Sequence, residues 1–246
     1  MSRSLTTMLL LTALGACTAD SGDEGIFITK NVAAPDTGCT FAASESSPFL
    51  AHGTFSIYST SAYQLHPQMK SRVTATAAQE DARTILLRGA RVELEFADPN
   101  LFSATEIADM RAQGVTRFET LFSAPLPPNG GIADGDVDLI PVSVLDRIIA
   151  KRPEVLSLTG ESFRTELIAK VVVFGDMSGS EVTSQEFQYP VTVCNDCVAN
   201  VLGTCPLPAG TTTRKGNACN PYQDGTADCC SMGNDVICPA TVGTAP

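Results

Sequence analysis

Apolar and polar residues alternate through the middle of the chain, the signature of strands with one buried face. Between Ala90 and Phe96, Val92, Leu94 and Phe96 fall on one side and Arg91, Glu93 and Glu95 on the other. Between Phe163 and Val173, one side carries Phe163, Thr165, Leu167, Ala169, Val171 and Val173. Phe187, Tyr189, Val191 and Val193 repeat the period. Richness in Val, Phe and Thr fits a pleated, half-buried surface. The same reading predicts strands at 26–32, 52–59, 68–76, 84–88, 114–122, 132–140 and 154–159. Asp176-Met177-Ser178-Gly179 and Asn129-Gly130-Gly131 read as turns between strands. Phe41, Phe49, Phe55 and Phe96 are assigned to the core.

Two short helices interrupt the alternation. Ser103-Ala104-Thr105-Glu106 has capping-box spacing, Ile107 and Met110 give an apolar edge, and Gly114 stands where the chain must leave the helix. A second helix begins at Ser143-Val144-Leu145-Asp146. Leu145, Ile148 and Ile149 form its buried stripe, Lys151 and Arg152 sit at its negative end, and Pro153 stops it. No strand-helix-strand rhythm appears, which excludes a doubly wound sheet. The expected fold class is mainly β: an antiparallel β-sandwich, immunoglobulin-like in its broad architecture, with two short helices and a disulfide-rich C-terminal module.

The cysteines divide the chain. Of nine, Cys17 stands alone near the start, and Cys39 is followed by none until Cys194, Cys197, Cys205, Cys219, Cys229, Cys230 and Cys238. Beyond Cys17 the number is even, so four bridges are expected in an oxidising compartment. The seven late cysteines cannot pair among themselves, so full oxidation ties Cys39 to the C-terminal group. Residues 205–238 are rich in Gly, Asn, Asp, Thr and Pro and poor in aliphatic residues, so bridges must hold them. The expected division is a β-sandwich over 26–197 and a Cys-rich tail over 198–246.

The first residues carry a positive Arg3, an apolar run from Met8 to Leu14, and Leu14-Gly15-Ala16-Cys17. This resembles the bacterial lipobox of exported lipoproteins. The resemblance implies a signal peptide over 1–16, cleavage before Cys17, and lipid on its sulfur, with palmitate-type acyl chains holding the protein to a membrane. Two or more chains give stable anchoring where one does not. Thr18, rather than Asp, after the cysteine implies sorting to the outer membrane. Residues 17–25 are polar and read as a flexible tether. With VTVCNDCV closing a strand and CNPYQDGTADCC following, the chain also resembles cysteine-rich lipoproteins of myxobacteria. That resemblance carries no activity and implies no catalytic residues. The adjacent Cys229-Cys230 is similar to cystine-knot mini-proteins, which implies Cys205–Cys230 and Cys219–Cys238.

A net charge of −11, one unit more negative without Arg3, argues against nucleic acid and against docking on anionic lipid through a basic patch. Arg214-Lys215, the one basic pair of the tail, reads as an exposed turn. With no spaced G-x-S-x-G and only His52 and His66, both assigned structural or surface roles, a serine hydrolase is not expected. Absence of Trp weakens a lectin reading. No cofactor, metal or catalytic residue is assigned, and no protein or glycan partner is specified. The leading expectation is an outer-membrane or surface lipoprotein that binds or builds rather than catalyses. Two alternatives compete. Cys194-Asn195-Asp196-Cys197 could run thiol-disulfide chemistry if it opened a helix. Asp134, Asp136 and Asp138 have the spacing that opens calcium loops, which would make an adhesion module.

Overall fold

A computed structural model describes residues 25–35, 38–41, 44–156, 162–233 and 235–243. The signal segment, Cys17 and all of the tether except Gly25 lie outside the described residues, as do 157–159 of the strand expected at 154–159.

The strands are β1 (Ile26–Val32), β2 (Phe49–Leu50), β3 (Gly53–Ser56), β4 (Tyr63–Leu65), β5 (Pro67–Ser71), β6 (Ile85–Phe96), β7 (Arg117–Leu126) and β8 (Ile132–Asp134). They continue with β9 (Val137–Ile140), β10 (Arg164–Met177), β11 (Ser180–Thr183), β12 (Phe187–Cys194), β13 (Ala199–Thr204), β14 (Ala227–Met232) and β15 (Asp235–Ile237). One sheet runs β2-β1-β5-β8; a larger one runs β3-β12-β10-β6-β7, with β11 folded back on β10. Between them lies a single core holding Ile26, Met69, Leu87, Val92, Leu167, Val171 and Val191, each 1% exposed or less. All six residues read from the Phe163–Val173 alternation are buried. The alternation works because a strand sends successive side chains to opposite faces. Gly89 lies where β6 bulges against β7; a Cβ there would strike the carbonyl of Thr120.

The fold is mainly β and sandwich-like, but not wholly antiparallel. β3 runs parallel to β12, with Val191 opposite Gly53 and Cys194 opposite Ser56, and β13 runs parallel to β14. In both pairs the partners are distant in sequence, so no hairpin turn dictates their direction. The stretch expected as one strand at 132–140 is two. β8 pairs with β5, and after Gly135-Asp136 the chain crosses to pair β9 with β4. Residues 114–116 belong to a helix exit instead of a strand, since Val115 N–H donates to Met110 O. At 153–156 the chain forms a short 3-10 turn, not a strand, because it continues directly from a helix end. Phe49, assigned to the core, is 63% exposed on the two-residue β2 at the sheet margin.

Besides a one-turn helix α1 (Glu80–Arg83), there are α2 (Ala104–Ala112) and α3 (Val142–Lys151). Ser103 and Glu106 form the expected reciprocal cap on α2. α3 buries Val144, Leu145 and Ile148 against the sandwich, one residue earlier in its stripe than expected, with Ile149 half-buried.

Four disulfides are present: Cys39–Cys219, Cys194–Cys197, Cys205–Cys230 and Cys229–Cys238. Cys219 and Cys238 are not partners, contrary to the mini-protein pattern; Cys219 instead reaches across 180 residues to Cys39. Three strands, β13-β14-β15, organise the tail around Ala199, Ala227, Cys229 and Val236. Tyr58 packs on both this cluster and the main core. The register also sets the two poles of the body. Ile26 bridges Ser184, whose N–H donates to Val173 O, whereas Cys194, where the tail departs, lies opposite Arg164. From Val173 to Arg164 along β10 is about 30 Å at the rise of a β-strand.

Candidate functional site

The polar chemistry of the protein gathers where the body meets the Cys-rich module. Segment 220–224 lies along the outer edge of β3, the last strand of the larger sheet. Ser56 N–H donates to Tyr222 O, Asp224 N–H to Thr54 O, and Thr54 N–H to the Asp224 carboxylate at 2.8 Å. The Gln223 side chain works like a strand partner: its Oε1 accepts from Gln64 N–H and its Nε2 donates to Gln64 O. An open strand edge is a template for unwanted pairing, and this segment closes it.

Behind that edge is a buried polar chain. The Tyr63 hydroxyl lies 2.7 Å from Asp224 Oδ2 and 3.2 Å from the Tyr189 hydroxyl, to which Asn31 Nδ2 donates at 2.8 Å. Tyr63, Tyr189 and Asn31 are almost fully buried. Gly53 sits against this chain because a Cβ would strike the Tyr63 hydroxyl. Burial pushes the Asp224 carboxyl up to about 6, although Thr54 N–H, Tyr63 and Gln223 all donate to it. Burial pushes Tyr189 up to about 12, and Tyr63 well above the usual phenol range.

On the other side of Gln64 opens a cleft of about 320 Å³, lined by Phe41, Gln64, His66, Asp134 and Asp136, with Cys39 of the long disulfide on its wall. The chain fixes His66 between β4 and β5. Its N–H donates to Asn31 Oδ1 and its carbonyl accepts from Val32 N–H. The ring stacks on Phe41, centroids 3.4 Å apart and planes 18° from parallel. Nδ1 lies 2.7 Å from Asp136 Oδ1; the His66 side chain is 6% exposed and that of Asp136 75%. Burial lowers the His66 pKa, against the pull of Asp136, so the ring is neutral at pH 7. A neutral ring that donates from Nδ1 to a carboxylate leaves Nε2 as an acceptor. Among the described residues Nε2 is buried with no hydrogen-bond partner, and so is Asp134 Oδ1. Burial, then the Asp136 charge, raise the Asp134 pKa; Lys30 opposes them.

The Asp134, Asp136 and Asp138 run does not make a calcium loop. Asp136 is committed to His66, Asp138 is exposed on β9 opposite Gln64, and among the described residues no three His, Cys, Asp or Glu are placed to hold a metal ion. Cys194-Asn195-Asp196-Cys197 follows β12 as expected, but opens no helix; β13 begins at Ala199. Cys194 is wholly buried, and Asp196 is engaged by Ser162 and Arg164. The dipole that lowers a thiolate pKa is therefore missing. Arg214 is no simple exposed turn: it grips the buried Asp228 through Nε and a terminal nitrogen, which holds that carboxyl well below the usual range. His52 is exposed, 3.1 Å from Thr192 Oγ1.

A larger cleft, about 570 Å³, crosses the outer face of the big sheet beside Arg91, Glu93, Arg117, Glu119 and Lys170. Its charges already satisfy one another, Arg91 with Glu119 and Glu181, Glu93 with Arg111, Lys170 with Glu95. The smaller cleft, with unmet buried acceptors, is the better candidate. Sequence reading missed the roles of His66, Phe41, Tyr63 and Tyr189, because their polar partners lie tens of residues away. Neither a protein-family model nor a curated protein matches the chain.

Proposed function

We propose that this is a lipid-anchored envelope protein, held at the outer membrane or cell surface through Cys17, which works by binding and not by catalysis. Leu14-Gly15-Ala16-Cys17 and the polar tether support the anchor. Among the described residues no helix is long and apolar enough to cross a membrane. The observation that carries the reading is the separation of poles. The chain enters the body beside Ser184, and the Cys-rich module caps β3 about 20–30 Å away along the strands, so the tether holds the module outward. Support for binding over catalysis comes from His66. A Ser-His-Asp device needs a nucleophile on the second ring nitrogen, and among the described residues none bonds to Nε2.

The test is the intact mass of protein purified from membranes, after thiol alkylation without reduction. A mass that starts at Cys17, carries acyl groups and shows no alkylation is expected. A start elsewhere without acyl groups overturns the anchor. Two alkylated thiols at Cys194 and Cys197 would replace binding with thiol-disulfide chemistry.

A further inference from the structure

We infer that the cleft between Phe41, His66, Asp134 and Asp136 binds a guanidinium group, an inference that rests on reading this protein as a binder. His66, Asp134 and Asp136 offer acceptors along its wall, spread out and not gathered at one point. Among the described residues Asp134 Oδ1 and His66 Nε2 are buried and meet no donor, and the carboxylate of Asp136 is largely open to solvent while His66 fixes it. Lys30, the cation that acts on Asp134, has hydrogen bonds to the carbonyls of Glu45 and Ser47. A ligand that fits must bring several N–H donors and positive charge; Gln64 and Thr40, also on the wall, can donate or accept. Guanidinium has five such donors in a plane and matches carboxylates in pairs. It also stacks on aromatic rings, and Phe41, held flat against His66, lines the same cleft. A metal ion fits less well, because among the described residues His66, Asp134 and Asp136 do not come close enough together to hold one.

The guanidinium could come from a small molecule or from an arginine side chain of a polypeptide; the chemistry is shared. The experiment is calorimetric titration of the purified full-length protein with agmatine, with a capped arginine amide, and with n-butylamine and calcium chloride. Saturable binding of a guanidinium compound, tighter than butylamine, is expected. Tighter agmatine points to a free small molecule and tighter capped arginine to a polypeptide. Asp134→Asn should weaken binding about tenfold or more, because a charge-assisted bond is lost. Phe41→Leu should weaken it less. Asp138→Asn, whose carboxylate lies outside the cleft, should change it by no more than about twofold in physiological salt. Melting curves confirm that each variant folds. If neither guanidinium compound binds, if Asp138→Asn weakens binding as much as Asp134→Asn, or if calcium binds in their place, the proposal fails. Absence of acyl groups with agmatine binding intact would instead sink the anchor alone.

Discussion

Along β10 the body buries Thr165, Leu167, Ala169, Val171 and Val173 in succession against a second sheet, while β14 of the Cys-rich module buries little but Ala227, Asp228 and two cysteines. The body is held by apolar area removed from water, at roughly 25 cal/mol per Å². The module has few such residues and is held by three bridges of its own or to the body, by Arg214 on Asp228, and by the seam along β3. The contrast teaches that one chain can carry a region stable wherever water is present, and another whose order depends on oxidation and pH.

The comparison is sharpened most by removing the disulfide that ties the two regions. Cys39→Ser with Cys219→Ser opens a loop of 180 residues, for which the chain-entropy model gives about 5 kcal/mol. Hydrogen exchange should show 220–224 and β3 losing protection first, with β10 and β6 the last to open; simultaneous loss everywhere would erase the distinction. Within the body, Leu167→Ala should cost about 2–5 kcal/mol through the cavity left in a fully buried site, read as a lower denaturant midpoint. Conserving apolar bulk there with Leu167→Met should recover most of it.

Next comes pH. The folded Asp224 carboxyl titrates at about 6, above the value near 3.9 of an unfolded chain. The folded state therefore holds a proton that the unfolded chain has released between these values. That stabilisation is complete below about pH 4 and is lost as pH rises through 6, on the order of 3 kcal/mol. Asp228 runs the other way: its carboxyl is lowered, so its contribution is present above the usual carboxylate range and fades as pH falls. Asp224→Asn should flatten the loss of stability between about pH 4 and 6; an unchanged slope would show that Asp224 does not titrate there. Tyr63→Phe, which strips one donor from Asp224, should cost about 1–3 kcal/mol and loosen the seam. Smallest of all, Arg91→Ala on the exposed charge ladder should change the midpoint by less than about 1 kcal/mol.

Much of the body was legible because period-2 patterning reports burial directly. Val92 and Leu94 on β6, the six residues of 163–173, and the Ser103–Glu106 cap all stand as their spacing indicates. The failures are equally physical. Local alternation could not show that Gly135 interrupts 132–140, since the ring of Phe122 that crowds it comes from another strand. Nor could it set the direction of β3 beside β12. The site was hidden for the same reason: Asp136 meets His66 seventy residues away, and Asp224, which reads only as a turn beside Gly225, reaches Tyr63 across 161. Cysteine arithmetic could tie Cys39 to the tail without naming Cys219.

The Cys39–Cys219 bridge also decides how the molecule would carry a mechanical load. A pull between the N-terminal end and anything gripping the tail finds a short covalent route, through residues 25–39, across the sulfurs, and on from 219. The intervening chain, including the whole larger sheet, hangs from that route as a covalent side loop, loaded only through its hydrogen-bonded seams. Shear would fall on β1, along its pairings with β2 and β5, and on 220–224 along β3. A protein tethered at one pole and gripped at the other could thus be tugged hard without its sandwich being unravelled, for as long as that one bond stays oxidised.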